Sequence, residues 1–434
     1  MNKVHPIQFF LFAFFAVLIN IYISSLGLMD DFNYTNLNFI KDPGLYLKFI
    51  FADINSGGLR PFLPFQITIN NVGYLLFSNK GYFIINLLIL FGILEFFYVV
   101  FNKLFSLNKF IYYILFFSWP YSYDLIIHPS LQEKFIILFL CLFVNFCIEN
   151  KDKSYLKTLL SFLIPFLKIQ SLIFLPFVYS VLKKYSNSKN IFTLPLISFV
   201  SSSLIVLAIF FSKRESYFNQ GIDIERLISQ LTTSYVNILN FVILFIAILV
   251  AKKNKNKNIY ILQNFALSNI LLIIFMSAYK PIDNYLNSLN IFFIIVYVLI
   301  IYQYVINLLP FRNLETFLKL FSVIFFTLIF QLFGIPRFER MNSIGDVFNY
   351  QSDIGQQTIY YSCSEGVEYL NKFQDNNTYI HVDSFQNLNQ LEFLFLSDSF
   401  ACNNIESLID TNCLLDEIIN FKYENSMKLK KYKC

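Results

Sequence analysis

Two charged features early in the chain have residue types suited to chemistry on a phosphate ester. Asp30 and Asp31 directly follow the first long apolar run, and Arg60 opens an amphipathic segment. A carboxylate beside another carboxylate holds its proton more tightly, which makes it a better general base near neutral pH. An arginine offers a planar, bidentate fork for a phosphate. Each feature alone also fits a simpler interpretation, because aspartates are common where a span ends and an interfacial arginine can snorkel to lipid phosphates.

A second group of polar residues lies between two later apolar runs. Asp124, His128, Gln132 and Glu133 could bind a sugar or a divalent metal, although an ordinary polar turn between spans has the same composition. Further along, Lys168 interrupts an apolar stretch. A charge there indicates either a function or a side chain that snorkels to the surface.

The composition predicts an integral membrane protein. Of the 434 residues 56% are hydrophobic and only 14% are charged, whereas a soluble domain has about a quarter charged residues. The 55 Phe and 28 Tyr exceed what one water-soluble core would hold, but a lipid-facing surface accepts them. The net charge of +5 lies in short clusters between apolar runs, which is how topology is encoded, so we predict no nucleic-acid partner.

Apolar runs of about 20 residues recur over residues 1–335 and predict an all-α bundle of about eleven spans. We place them at Ile7–Leu28, Tyr82–Phe101, Phe110–Ile127, Phe135–Ile148, two short helices within Leu159–Leu182, Ile191–Ser212, Tyr235–Ala251, Ile259–Ala278, Leu286–Leu309 and Leu318–Ile335. Lysines flank Leu159–Leu182 at both ends, so the positive-inside rule favours a hairpin that turns near Lys168.

The first outer loop covers residues 29–81 and contains Leu63–Phe77, which we interpret as a helix at the membrane interface. With this arrangement every basic cluster falls on one side. The rule therefore predicts a cytoplasmic N-terminus and an extracytoplasmic C-terminus in a plasma membrane, the inner membrane of a bacterium.

Residues 336–434 are more polar and predict a small extracytoplasmic α/β domain. We expect a helix over Gly366–Phe373, a strand over Tyr379–Asp383 and a short element over Leu391–Leu396. The segment also contains four cysteines, so one or two disulfides are expected, with the pairing left open: Cys363, Cys402, Cys413 and Cys434. By contrast, Cys141 and Cys147 lie in an apolar span and are expected to be inert.

The order of these features resembles the GT-C family of membrane glycosyltransferases, such as protein O-mannosyltransferases and aminoarabinose transferases. A first span is followed by an outer aspartate pair, by Arg60-Pro61 opening an amphipathic helix and by a span with Asn86 near its start. Three later stretches are similar to family motifs, although each is short: 130–133 (SLQE), 167–171 (LKIQS) followed by Leu175-Pro176, and 279–285 (YKPIDNY). The second departs from the usual pattern, with Lys-Ile where the family has Lys-Glu.

The resemblance implies transfer of a sugar from a polyprenyl-phosphate donor to an extracytoplasmic glycan, lipid or protein. It implies that Asp31 or Asp30 is the catalytic base, with a slight preference for Asp31. The lipid phosphate would be bound by Arg60, Lys280 and Lys168, and the substrates by Asp124, His128, Gln132, Glu133 and Tyr285. No cofactor is implied except a divalent cation, which some relatives need, and this point stays open.

Two other functions stay open. Polysaccharide polymerases and ligases also have many spans, but they typically carry essential arginines in a large middle loop, and here Arg214 and Arg226 lie in a short one. Transporters and lipid flippases tend to have internal repeats and ionisable residues deep within spans. The chain shows no repeat, and its charges gather in predicted outer loops, which favours chemistry at the membrane surface.

Overall fold

The structure is a computed structural model of the 434-residue chain, and most of the residues it describes are helical. It describes residues 6–22, 44, 47–48, 63–127, 133–149, 154–185, 193–213, 235–279, 283–308, 313–339, 358–361, 378–381, 392–398, 409, 412–421 and 424–433.

Twelve helical segments in these ranges precede the strands. They are α1 (Pro6–Tyr22), α2 (Leu63–Phe105), α3 (Lys109–Phe117), α4 (Asp124–Ile127), α5 (Glu133–Glu149), α6 (Ser154–Leu167), α7 (Leu175–Tyr185), α8 (Leu194–Lys213), α9 (Tyr235–Lys253), α10 (Ile259–Tyr279), α11 (Asp283–Leu308) and α12 (Leu314–Ile329). Short 3₁₀ turns at Pro120–Ser122 and Ile169–Phe174 link α3 to α4 and α6 to α7.

Three helical stretches in the described ranges are long and apolar enough to cross a bilayer: Lys80–Phe105, Ser288–Leu308 and Leu314–Glu339. Pro6–Tyr22, Ser154–Leu167, Leu194–Ala208 and Ile259–Phe275 are apolar but shorter. The predicted helical, membrane-spanning character is therefore supported, and the total of about eleven spans stays a prediction.

The predicted interfacial helix is not a separate element. Leu63–Phe77 is helical, but it continues into the next span as the single 43-residue α2. This helix bends sharply. A Cβ built on Gly73 would lie 2.4 Å from the carbonyl oxygen of Gly81, whereas eight residues of straight helix span about 12 Å. The first part of α2 therefore folds back on the second, and the approach requires a residue without a side chain at Gly73.

The third predicted span, Phe110–Ile127, is wrong as a single helix. It breaks after Phe117 into a 3₁₀ turn and the four-residue α4. The physical reason is Pro120, which has no backbone N–H and whose ring obstructs the preceding turn. Because α4 ends at Ile127, the carbonyls of Leu125 and Ile126 have no partner within it, and one side chain of α2 bonds to them.

The break into two short helices predicted near Lys168 is confirmed, and the cytoplasmic placement of both ends stays a prediction. The helix breaks at Lys168, whose backbone is extended (φ −170°, ψ 149°), and the chain resumes through a 3₁₀ turn into α7. The far end of α7 returns to the end where α6 began. Lys184 near the end of α7 donates to Asn258, which itself donates to Leu104 O at the end of α2. At the same place Lys103 binds Glu149, the last residue of α5, and α6 begins five residues later at Ser154.

Aromatic rings fill the contact between α1, α3 and α12. Phe15 lies at the centre of this contact, with its ring centroid 4.6 Å from that of Phe117 and 6.3 Å from those of Phe330 and Phe338. Tyr123 joins the same cluster, 5.7 Å from Phe330. This packing fixes the end of α12 beside the start of α4.

The C-terminal part contains a five-stranded mixed sheet. Its strands are β1 (Thr358–Tyr361), β2 (Thr378–His381), β3 (Glu392–Asp398), β4 (Leu414–Phe421) and β5 (Glu424–Lys433), in the spatial order β2-β1-β3-β5-β4. β1 runs parallel to β2 and β3, and β5 runs antiparallel to β3 and β4.

Two predicted elements of this segment, Tyr379–Asp383 and Leu391–Leu396, correspond to β2 and β3. The helix predicted over Gly366–Phe373 lies outside the described residues, so the α/β class is supported only in its β part. Cys413 is disulfide-bonded, as expected of at least one pair here, and Cys363, Cys402 and Cys434 lie outside the described residues. Cys141 and Cys147 are free and buried.

Candidate functional site

Six polar side chains form three contacts at one end of the helices, and we call them together the buried charge network. They come from five separate parts of the chain: Asn86 on α2, Asp124 on α4, Glu133 and Lys134 at the start of α5, Lys168 at the hairpin turn and Arg337 after α12. Charges in apolar surroundings are costly unless they are paired, which explains why each one has a partner.

Asp124 and Arg337 form the first ion pair. Asp124 is only 2% exposed, and its Oδ1 accepts from Arg337 Nε at 2.8 Å. The guanidinium also lies 5.2 Å from the ring centroid of Tyr121, in cation–π contact. Arg337 keeps 23% of its side chain exposed, so this cation faces the outside of the network while its carboxylate faces the inside.

The end of α12 is shaped to bring Arg337 to Asp124. Its last turns widen into a π-helix over Phe330–Gly334, where Ile335 N donates to Phe330 O, and the helix then continues through Pro336 to Glu339. A Cβ on Gly334 would lie 2.4 Å from the Phe330 ring and 3.1 Å from the Tyr123 ring. Glycine therefore permits the close approach that places Arg337.

Asn86 joins the broken helix to α5. Its Nδ2 donates to Leu125 O at 2.9 Å and Ile126 O at 3.0 Å, two carbonyls in the last turn of the short α4. Its Oδ1 accepts from Lys134 Nζ. Both side chains are fully buried, so Asn86 satisfies free backbone groups and a buried cation at once.

Glu133 and Lys168 form the second ion pair. Glu133 is fully buried in the first turn of α5, where the helix dipole favours a negative charge, and its Oε1 lies 2.6 Å from Lys168 Nζ. Lys168 keeps 18% of its side chain exposed. The pattern of the first pair is repeated, with a carboxylate inside and a cation toward the outside.

The network contains three cations, Lys134, Lys168 and Arg337, and two carboxylates, Asp124 and Glu133. Within the described residues, Asp124 Oδ2 and Glu133 Oε2 are buried without a hydrogen-bond partner. Such atoms are costly to leave without a partner, which suits a ligand or water that brings donors. A ligand that bears hydroxyl groups, such as a sugar, supplies donors for these two oxygens.

The structure brings three of the predicted site residues together and shows that two of them are buried. Asp124, Glu133 and Lys168 belong to one network. Asp124 and Glu133, predicted in a loop between two spans, lie in the helices α4 and α5 and are buried, each paired with a cation from another part of the chain.

The other predicted site residues are not described. Asp30, Asp31, Arg60, His128, Gln132 and Lys280 lie outside the described ranges, and Tyr285 belongs to α11 without a described side chain. No group of three metal-ligating side chains occurs among the described residues.

Sequence reasoning missed Lys134 and Arg337. Lys134 has a detectable signal, because a charge pair at 133–134 directly opens an apolar run that becomes buried. Arg337 falls within residues 336–434, which the more polar composition assigns to the C-terminal domain, and Pro336 gives no sign that the helix continues. The π turn accommodates this proline, so the helix passes the predicted boundary at residue 335.

A separate polar cluster lies between α9, α10 and α11. Asn290 Oδ1 accepts from Asn240 Nδ2 at 2.8 Å and from Asn269 Nδ2 at 2.6 Å, and all three side chains are buried. Amides that bond across membrane helices contribute about 1 kcal/mol each to helix association. The cluster carries no charge, and we assign it a structural role.

Known proteins offer no guide to this site. No protein-family model matches the chain, and neither a curated protein nor a solved structure matches it. The function is therefore inferred from the chemistry of the network together with the order of features along the sequence.

Proposed function

We propose that the chain is a membrane glycosyltransferase of the GT-C type that acts in assembly of the cell envelope or its polysaccharides. It transfers a sugar from a polyprenyl-phosphate donor to a glycan, lipid or protein acceptor outside the membrane. The observation that carries this proposal is the buried charge network, in which the cations Arg337 and Lys168 are partly exposed and the carboxylates paired with them are buried.

The reaction requires two things of the protein. A base takes the proton of the acceptor hydroxyl while the new bond to C1 of the sugar forms, and the bond from C1 to the phosphate oxygen breaks. The negative charge that develops on the departing polyprenyl phosphate must be stabilised where it appears. We assign the base to Asp31, with Asp30 beside it, and the phosphate to Arg60, Lys280, Lys168 and Arg337.

The assignment of Arg337 and Lys168 follows from how each is bound. Arg337 uses Nε for Asp124, so its terminal nitrogens offer the fork that matches a phosphate. Lys168 is held by Glu133, which fixes its position at the turn. Because both carboxylates are buried behind their cations, an arriving phosphate meets the positive groups first.

The proposal includes the finer topology of about eleven spans, a cytoplasmic N-terminus and an extracytoplasmic C-terminal domain. The positions of the charges support it. Glu133 and Glu149 lie at opposite ends of α5, about 24 Å apart along a helix of this length. The buried charge network is at the Glu133 end. Lys103, Lys184 and Lys253 are at the Glu149 end, which is the cytoplasmic side under the positive-inside rule.

One observation favours a different function. Glu133 and Lys134 are fully buried within a helical bundle, and ionisable residues inside a membrane are typical of transport pathways. A flippase for a lipid-linked glycan would bind the same sugar phosphate without breaking its bond to the lipid. The two functions therefore differ in the product, not in the ligand.

The test is sugar transfer by the purified full-length chain in liposomes that contain a labelled polyprenyl-phosphate sugar. We expect release of label to an acceptor. Asp31→Asn should lower turnover by about 10²–10⁴ while donor binding survives, because the substitution removes only the base. Arg60→Lys should weaken binding and turnover, since the bidentate fork is lost. Asp30→Asn is the matched control and should be milder.

Normal turnover in both Asp31→Asn and Arg60→Ala would contradict the assignment of this loop as the active site. Movement of the intact labelled lipid between leaflets, with no transfer to any acceptor, would favour the flippase instead.

A further inference from the structure

Six lysines gather at the end of the bundle opposite the buried charge network, and we call them the lysine platform. They are Lys183 and Lys184 in the last turn of α7, Lys252 and Lys253 in the last turn of α9, and Lys255 and Lys257 in the turn that follows. The two segments converge. Lys184 Nζ donates to Lys257 O at 2.7 Å and to the amide oxygen of Asn258, and Lys183 Nζ lies 4.8 Å from the ring centroid of Tyr260.

The platform lacks the acidic partners that other lysines at this end possess. Lys103 pairs with Glu149, and Lys109 pairs with Glu95 at 2.6 Å. Within the described residues no carboxylate pairs with the six platform lysines, and the chain has no Asp or Glu over 183–214 or 226–282. Their contacts are instead with carbonyl and amide oxygens and with the rings of Tyr179, Tyr260 and Tyr304.

The positive charges repel one another at close range. Burial and the neighbouring charge of Lys257 lower the pKa of Lys184 below its ordinary value. A bound anion would remove this repulsion, so the site is electrostatically prepared for a negative group.

The backbone at Lys255 is a second, independent observation in favour of an anion at this site. Asn256 N donates to Ala251 O at 3.0 Å and Lys255 N donates to Lys252 O at 3.1 Å, which is the Schellman pattern that ends a helix. Lys255 occupies its left-handed position with φ 49°, where glycine is strongly preferred because it has no Cβ. A cationic side chain is therefore present at a position where the fold alone favours glycine.

The surfaces beside the platform are apolar. Phe245 and Leu249 are exposed on α9, and Leu267, Leu271 and Ile274 are exposed on α10. A molecule with its negative group on the lysines would place any hydrocarbon chains along these helices. This combination of lysines and apolar surface matches a phospholipid, whose acyl chains can cover the apolar side chains. A soluble phosphate, a nucleic acid or an acidic protein would leave that surface uncovered.

We propose that the lysine platform binds the headgroup of an anionic phospholipid, whose acyl chains lie along α9 and α10. The lipid neutralises the convergent charges and ties the end of α7 to the turn between α9 and α10. Such basic sites between helices are a known form of lipid recognition in membrane proteins, and they are separate from the chemistry proposed at the opposite end.

The test is native mass spectrometry of the full-length chain in detergent, titrated with phosphatidylglycerol or with phosphatidylcholine. We expect preferential binding of phosphatidylglycerol. Lys183→Ala and Lys255→Gly should each weaken it by about fivefold, the value of one lysine near an anionic headgroup. Lys103→Ala removes the same charge from the same end but from an acid-paired lysine, and it should leave the preference unchanged.

A folding defect is distinguished by the thermal midpoint. Lys255→Gly should unfold at the same or a higher temperature than the parent, because glycine suits the left-handed position, while it binds the anionic lipid less well. Equal binding of both lipids by the parent protein, or an equal loss in Lys103→Ala and Lys183→Ala, would overturn the proposal. Displacement of phosphatidylglycerol by inorganic phosphate would overturn the assignment to a lipid.

Discussion

The two ends of α5 carry the same charge pair in opposite environments. Glu133 at the first residue is fully buried and bound to Lys168, while Glu149 at the last residue is 48% exposed and bound to Lys103. Both pairs join a glutamate to a lysine on another segment. The buried pair must offset the cost of removing both groups from water, whereas the exposed pair has little such cost and contributes little. The contribution of an ion pair to stability therefore depends more on its burial than on which residue types form it.

The buried pair offers the largest test of this difference. Lys168→Met leaves Glu133 charged, buried and without its cation, and we expect a loss of about 3–5 kcal/mol in the free energy of unfolding. Glu133→Gln removes the charge and should cost less. The double variant should recover part of the loss, because no uncompensated charge remains. Unfolding midpoints of the purified chain in detergent measure all three.

Additive losses in the double variant would show that Glu133 and Lys168 are not energetically coupled, and the contrast between the two ends of α5 would fail. The matched pair at the exposed end, Lys103→Met and Glu149→Gln, provides the control.

A smaller effect is expected where a glycine positions the other buried pair. Gly334→Ala places a Cβ 2.4 Å from the Phe330 ring and should displace the end of α12, at a cost of about 1–3 kcal/mol. Gly92→Ala is the matched control on α2, where a new Cβ meets nothing within 4 Å, and alanine should stabilise the helix there by about 0.5–1 kcal/mol.

Thermal midpoints should therefore move in opposite directions in the two alanine variants. Donor binding should weaken only in Gly334→Ala, since only that change moves Arg337 away from Asp124. Equal shifts in both variants would show that the close approach of Gly334 to Tyr123 is unimportant.

The smallest effect is expected at the exposed pair, and it depends on pH. The hydrogen bond from Lys103 lowers the pKa of Glu149 below its ordinary value. The stabilisation is therefore complete above the ordinary pKa of a glutamate and is lost as the pH falls through the lowered value. Glu149→Gln should change the midpoint only slightly at neutral pH, and the difference from the parent should vanish in acid. A large change at neutral pH would place this pair in the same class as the buried one.

The sequence alone determined the features that depend on local composition. Long apolar runs predict membrane helices, because backbone N–H and C=O groups without hydrogen bonds are too costly in the bilayer. Lysines on both sides of Leu159–Leu182 predict two short helices, and the structure shows the break between them at Lys168. Lys168 is a site candidate because a charge within an apolar stretch is uncommon, and Asp124 and Glu133 are candidates as polar residues between two spans.

Only the tertiary structure decided how those charges are arranged. Asp124 and Arg337 are 213 residues apart in sequence, and their contact depends on a break at Pro120, a π turn before Pro336 and the absence of a side chain at Gly334. The bend in α2 lies beside the boundary predicted between Leu63–Phe77 and Tyr82–Phe101, but the close approach of Gly73 to Gly81 depends on how the two parts pack. Burial depends on which distant segments pack together, and hydropathy along one segment cannot report it. The sequence therefore identified most of the charged residues, and packing between helices decided which of them pair and which face outward.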